Sequence, residues 1–307
     1  MTGMGPTTEV SVLDQRDRRL IAALQCDGRV PVERAAKVLG INARVIRQRL
    51  RQLRSSGVLT VRGRAAEPAS PRVTLLRVRV LQGAIEQVAD ALAKRPGNPT
   101  VRVSATGDEV LARLPVDTGP VDGDGSAVTA VTGQVALRAF SRAQDWRYPA
   151  LTEAERAALE APPVDPAYML DETDVRLLEA LEPDARATAE SLAASTGLAA
   201  ATVRRRLSRL GAAGRLHGEV LIDPRALGLT VEATLFLRVE GARLDEVGRR
   251  LAAHPAVHAA MATTGPTNLQ VDVWAEDLDA LYRLVTEIEA DVVDTVLLGA
   301  ASFPLSG

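Results

Sequence analysis

"LDQRDRRLIAALQCDGRVPVERAAKVLGINARVIRQRLRQLRSSGVL", residues 13–59, recurs 157 positions later as "LDETDVRLLEALEPDARATAESLAASTGLAAATVRRRLSRLGAAGRL", residues 170–216. Close to two in five positions are identical without a gap, so the chain reads as a duplication. Each copy resolves into three short helices. Asp14 and Asp171 are suited to cap the first, with Asp17 and Asp174 adding negative charge to its opening turn. Leu20, Ile21 and Leu24 form its apolar stripe, matched by Leu177, Leu178 and Leu181. Pro31 opens the second helix, Val32, Ala35, Ala36 and Leu39 share one face, and Gly40 ends it, as Gly197 ends its counterpart. In the third helix Ile46, Leu50 and Leu53 point inward, as do Val203, Leu207 and Leu210.

The free face of the third helix carries the chemistry. Residues 42–57 hold five arginines and no acid, in a chain of formal net charge −2. Asn42, Ala43, Arg44, Arg47, Gln48, Arg51 and Arg54 lie at the start or on the outer side of the first copy, and Arg62 extends the patch. Ala200, Ala201, Arg204, Arg205 and Ser208 hold that side in the second. Small residues followed by Arg or Gln suit entry into a major groove, because the backbone approaches closely and the long side chains pair with base edges. One basic helix is usually a solvated face; its duplication within a three-helix pattern points to double-stranded DNA.

Composition limits the alternatives. With 307 residues, 46% of them apolar, the chain has material for more than one core. Aromatic residues make up 3%, too few for binding single strands by base stacking. One cysteine, Cys26, forms no internal disulfide, and no Cys/His grouping has zinc spacing. His254 and His258 are four apart, but Pro255 interrupts any helix that would converge them on a metal. The expectation is a cytoplasmic protein without a membrane span, metal or cofactor.

With these residues in place, the chain resembles the Lrp/AsnC (leucine-responsive and asparagine-responsive) transcriptional regulators. The second copy resembles them more fully, because "GEVLIDPRALGL", residues 218–229, matches the strand and turn that the family places before its sensing domain, where the first copy has "VRGRAAEPASP". Both copies depart from the usual Ser opening the recognition helix, with Asn42 and Ala199; only Asn can cap. Beyond the second copy, alternation and helical periodicity give β-α-β-β-α-β over residues 231–303, the ferredoxin-like order. The corresponding 73–143 stretch keeps a strand, a helix and three strands, with "DTGPVDGDGSAVTAVTG" replacing the second helix.

The implied architecture is α+β. A winged helix-turn-helix domain at 1–64 is followed by a degenerate ferredoxin-like effector and dimerisation domain at 73–148. A linker at 149–167 precedes a second winged helix-turn-helix domain at 168–223 and a ferredoxin-like domain at 229–305. The resemblance implies a small-molecule effector of amino-acid type and self-association through the ferredoxin-like domains. It places the effector loop at "TTGPTNLQ", residues 263–270. There Thr264, Thr267 and Asn268 offer polar groups, and Gly265 with its neighbouring amides can receive a carboxylate. A tight Gly-Pro turn is the plain alternative. Two further alternatives are a haem-pathway decarboxylase-like enzyme of the same architecture and a scaffold that binds no DNA. No paired carboxylates, nucleophile triad or phosphate loop supports the enzyme.

Overall fold

A computed structural model describes residues 12–65, 73–96, 100–116 and 127–302. In chain order the first head comprises α1 (Gln15–Cys26), α2 (Val32–Leu39), α3 (Ala43–Ser55) and β1 (Leu59–Ala65). Then come β2 (Val73–Val80), α4 (Ile85–Ala93), β3 (Thr100–Ser104), β4 (Glu109–Pro115) and β5 (Val128–Ser141). A short α5 (Glu153–Leu159) precedes the second head: α6 (Glu172–Leu181), α7 (Ala189–Thr196), α8 (Ala200–Ala212) and β6 (Leu216–Ile222). The last segment is β7 (Val231–Arg238), α9 (Leu244–Ala252), β8 (Val257–Thr263), β9 (Leu269–Ala275), α10 (Leu278–Glu287) and β10 (Asp291–Ser302). These elements make two compact units, each drawn from both halves of the chain: residues 1–68 with 147–228, and residues 69–146 with 229–307.

In the first unit, the capping expected from sequence is present. Asp14 accepts from the amide of Asp17, Asp171 from that of Asp174, and Asn42 from that of Arg44, whereas Ala199 makes no side-chain cap. Gly40 and Gly197 close α2 and α7 with left-handed backbones, φ 66° and 72°. The two wing strands, β1 and β6, pair antiparallel with Gly63 opposite Gly218. The loops before α2 and α7 then reach across: Ala185 N–H donates to Val61 O at 2.8 Å, and Arg186 Nη1 donates to Gly28 O at 2.7 Å. Residues 149–167 bind both heads. Thr152 and Glu155 form the capping box of α5. Arg34 of α2 donates to the carbonyls of Ala158 and Glu160, and Asp165 N–H donates to Ala213 O at 2.9 Å. The heads are therefore one pseudo-symmetric body.

The second unit joins both effector-type segments into a closed barrel of order β10-β3-β4-β2-β5-β8-β9-β7. One face of each sheet is capped by helix. Leu76, Val78, Val110, Ala112 and Val101 pack on Ala89 and Leu92 of α4, while Leu235, Leu237, Val271 and Val273 pack on Val247, Leu251, Leu281 and Leu284 of α9 and α10. The alternate residues supply the interior, and it is unusually polar. Strand β5 begins at Val128, six residues before the strand read from sequence, because its β-branched residues pair with Arg77–Val80 of β2. The remainder of the expected helix replacement, residues 117–126, lies outside the described residues.

Candidate nucleic-acid interface and effector loop

Helix α3 is held by its inner face, with Ile46, Leu50 and Leu53 buried. Its orientation is fixed by Arg49, whose Nη1 lies 2.8 Å from both Asp14 and Asp17. The second head repeats this device: Arg206 reaches Asp171 at 2.6 Å and Asp174 at 2.8 Å. Burial pushes the Asp17 carboxyl up, with Arg49 opposing it, while its hydrogen bond to Arg206 draws Asp171 down. These two arginines are thus structural.

The outer face is exposed at Arg44, Arg47, Gln48, Arg51 and Arg54, and at Ala201, Arg204, Arg205 and Ser208; Ala43 and Ala200 are half-buried. Arg47 pairs with Glu33 of α2, and Arg204 makes the equivalent pair with Glu190 of α7 at 2.6 Å. Arg54 reaches Asp184 of the other head at 2.5 Å. Arg62 lies half-buried on β1, in register with Glu219 of β6. Gln48, Arg51 and Arg54 line an open groove of about 680 Å³ that runs from α3 past Thr60 to Pro183 and Asp184. Asp184, which enters that groove from the other copy, carried no sequence signal of its own.

The loop between β8 and β9, the candidate effector loop, is closed by hydrogen bonds within the chain. Asn268 is engaged with the backbone of one residue: its side chain accepts from Val239 N–H at 2.8 Å and donates to Val239 O at 2.7 Å. Thr264 Oγ1 accepts from Val135 N–H at 2.9 Å. The amide of Gln134 on β5 enters the loop, where Nε2 lies 2.7 Å from the carbonyls of both Thr264 and Thr267. A lone glutamine in the apolar alternation "VTGQVALRAF" was the available signal.

Sequence reasoning also missed the charged interior of the barrel. Arg102 of β3 bridges Glu232 at 2.7 Å and Asp272 at 2.8 Å, and Arg113 of β4 lies 3.3 Å from Asp272. Arg77 is paired with Glu109 and Asp294 and stacks over Phe236 at 4.0 Å. Burial would raise Asp272, but Arg102, His258 and Arg113 hold it well below the carboxylate range. His258 is lowered to about 4 by burial, and it stacks on Trp274 with ring centroids 4.1 Å apart. The three arginines line a cavity of about 20 Å³, the space of a single water.

Paired helix-turn-helix heads on one chain, joined to a barrel of ferredoxin-like segments, define a class of DNA-binding domain coupled to a sensing fold. Comparison agrees: an AsnC-type helix-turn-helix domain matches residues 13–54 and 170–210, and an Lrp/AsnC ligand-binding domain matches 232–296. The chain thus carries the helix-turn-helix and ligand-binding domain types of the Lrp/AsnC family. It is 29% identical over 117 residues to the HTH-type transcriptional regulator FL11 of Pyrococcus horikoshii, covering 38% of this chain and 78% of that protein. It is 28% identical over 120 residues to the HTH-type transcriptional regulator Ptr1 of Methanocaldococcus jannaschii, covering 39% and 81%. Among solved structures, the siroheme decarboxylase NirDL bound to an iron-uroporphyrin III analogue shares the fold, with a TM-score of 0.55 at 15% identity over 93% of this chain and 90% of that one. Among the described residues no helix is long and apolar enough to cross a membrane, and no group of His, Cys, Asp or Glu could hold a metal ion.

Proposed function

We propose that this chain is a cytoplasmic, sequence-specific DNA-binding transcriptional regulator that reads an asymmetric site with two non-identical heads and responds to a small molecule of amino-acid type. The reading rests on one observation: β1 and β6 pair, so two different recognition helices are held in one body. The equivalent outward positions differ, with Arg44, Gln48 and Arg51 in one head and Ala201, Arg205 and Ser208 in the other. Asn42, Ala43 and Ala200 bring the helix starts toward the groove, while Arg47, Arg54, Arg62 and Arg204 supply phosphate and base-edge contacts. Thr264, Gly265, Thr267 and Asn268 form the effector loop, and the barrel carries any further self-association.

The decarboxylase reading is disfavoured by the residues: Arg77, Arg102 and Arg113 of the barrel interior are each neutralised by a carboxylate of this chain. Selection of bound genomic DNA by the purified protein tests the regulator. The expected result is an enriched motif with two unlike halves, one lost in Arg44→Ala and the other in Arg205→Ala. A perfect palindrome read equally by both heads, or no enrichment, refutes it.

A further inference from the structure

Three oxygens surround one nitrogen in the loop between β8 and β9. Gln134 Nε2 stands 2.7 Å from Thr264 O, 2.7 Å from Thr267 O and 3.1 Å from Thr267 Oγ1. Gln134 is 3% exposed, although both its neighbours Gly133 and Val135 are exposed. Its entry depends on Gly265, which has φ 98° and whose place for a Cβ lies 2.8 Å from that same nitrogen. An amide nitrogen carries two hydrogens, so it can serve the two carbonyls fully and leaves the third oxygen short. Thr267 Oγ1 in turn reaches Gln134 Oε1 only at 3.4 Å, a long hydrogen bond. Two amide hydrogens are therefore divided among three oxygens, one of which, Thr267 O, also accepts from Thr263 Oγ1 at 3.0 Å.

We propose that Gln134 is a tethered occupant of a nitrogen-recognition site formed by Thr264, Gly265 and Thr267, and that a free ligand bearing a primary ammonium or carboxamide binds by displacing it. The inference rests on the reading of residues 263–268 as an effector loop. The first copy acquires a role from it: one of its strands, β5, supplies the competitor for the site of the other. A tethered group acts at high effective concentration, so it weakens any free ligand that shares its contacts. A primary ammonium, with three hydrogens, matches all three oxygens.

The test uses the full chain with methylammonium and propionamide as probes, followed by the amide signals of Thr264 and Gly265 in NMR titrations. Gln134→Ala is expected to bind both probes at least tenfold more tightly than the wild type. Gln134→Met, which refills the volume without polar atoms, is expected to show no gain, and Thr267→Val in the Gln134→Ala background to lose most of it. Gln134→Ser serves in place of the alanine variant if that variant does not fold. Equal affinity of the wild type and the truncated variant for both probes overturns the proposal. DNA binding by the wild type, measured on the same preparation, reports on the regulator reading alone.

Discussion

Gly28, in the turn after α1, lies against Gly218 of β6 so closely that a Cβ on Gly28 would overlap the Gly218 carbonyl. The reciprocal contact puts Gly63 of β1 against the second head, where a Cβ would stand 2.5 Å from Leu181 O. At these two contacts each head admits the other because a side chain is missing. Gly28→Ala and Gly63→Ala are expected to destabilise the first unit by about 1–3 kcal/mol each, the usual cost of overpacking a fixed contact. Gly211 is the control. It lies within α8 with nothing within 4 Å of its Cβ position, so Gly211→Ala is expected to stabilise by about 1 kcal/mol. Urea unfolding of the three variants checks the signs.

A second prediction comes from comparing the copies. Asn42 and Ala199 hold nearly the same backbone geometry, φ −59° and ψ 134° against φ −65° and ψ 135°, yet only Asn42 caps its helix. Ala199→Asn is expected to add about 1 kcal/mol and Asn42→Ala to remove about 1 kcal/mol, within the usual range for caps. Thermal unfolding measures both. No gain in Ala199→Asn shows that the amide at that helix start is already satisfied by solvent.

Periodicity and capping made the heads legible, because the helices carry their own starts, stripes and stops: Asp14 and Leu20 in α1, Gly40 at the end of α2, Asn42 and Ile46 in α3. Joining of the heads was not legible. The pairing of Val61 with Val220, and the contact of Gly28 with Gly218, are long-range and depend on absent side chains, which leave no periodic signal. The turn between β8 and β9 was legible as a loop joining two strands but not as one that another strand fills, since Gln134 lies more than a hundred residues away. Likewise Arg102 and Asp272 meet inside the barrel although each looks, in its own strand, like an outward polar residue of an alternating pattern.

The buried His258 sets an acid limit. Burial lowers it to about 4, and the charged groups facing it are Asp272, Arg102 and Arg113. An unfolded histidine titrates near 6.5, so between about pH 6.5 and 4 the unfolded chain binds the additional proton. The stability from keeping His258 neutral is fully present above about pH 6.5 and is lost as pH falls toward 4, on the order of 3 kcal/mol in all. Asp272, held below its usual range, contributes in a separate window: its stabilisation is present above about pH 4 and is lost below. Unfolding free energy measured against pH should therefore begin to decline near 6.5. His258→Phe, which keeps the stack on Trp274, is expected to flatten that first limb and to shrink the second without abolishing it, since Arg102 and Arg113 still face Asp272.

The ion pairs on α3 and α8 bear on the proposed DNA binding. Among the described residues Arg44, Arg51 and Arg205 have no carboxylate partner, whereas Arg47 is paired with Glu33 and Arg204 with Glu190, in both cases with exposed side chains. A free arginine that contacts phosphate releases a counterion on binding, so Arg44→Ala and Arg51→Ala should each lower the slope of log affinity against log salt by about 0.9. A paired arginine has first to leave its glutamate. Removing the acid, in Glu33→Ala or Glu190→Ala, is therefore expected to tighten DNA binding several-fold at low salt, with the gain shrinking as salt screens the pair. The increase should be confined to the half-site read by the altered head. Fluorescence anisotropy on sites with one half scrambled separates the heads, and equal effects of Glu33→Ala on both half-sites would show that α3 does not read its half alone.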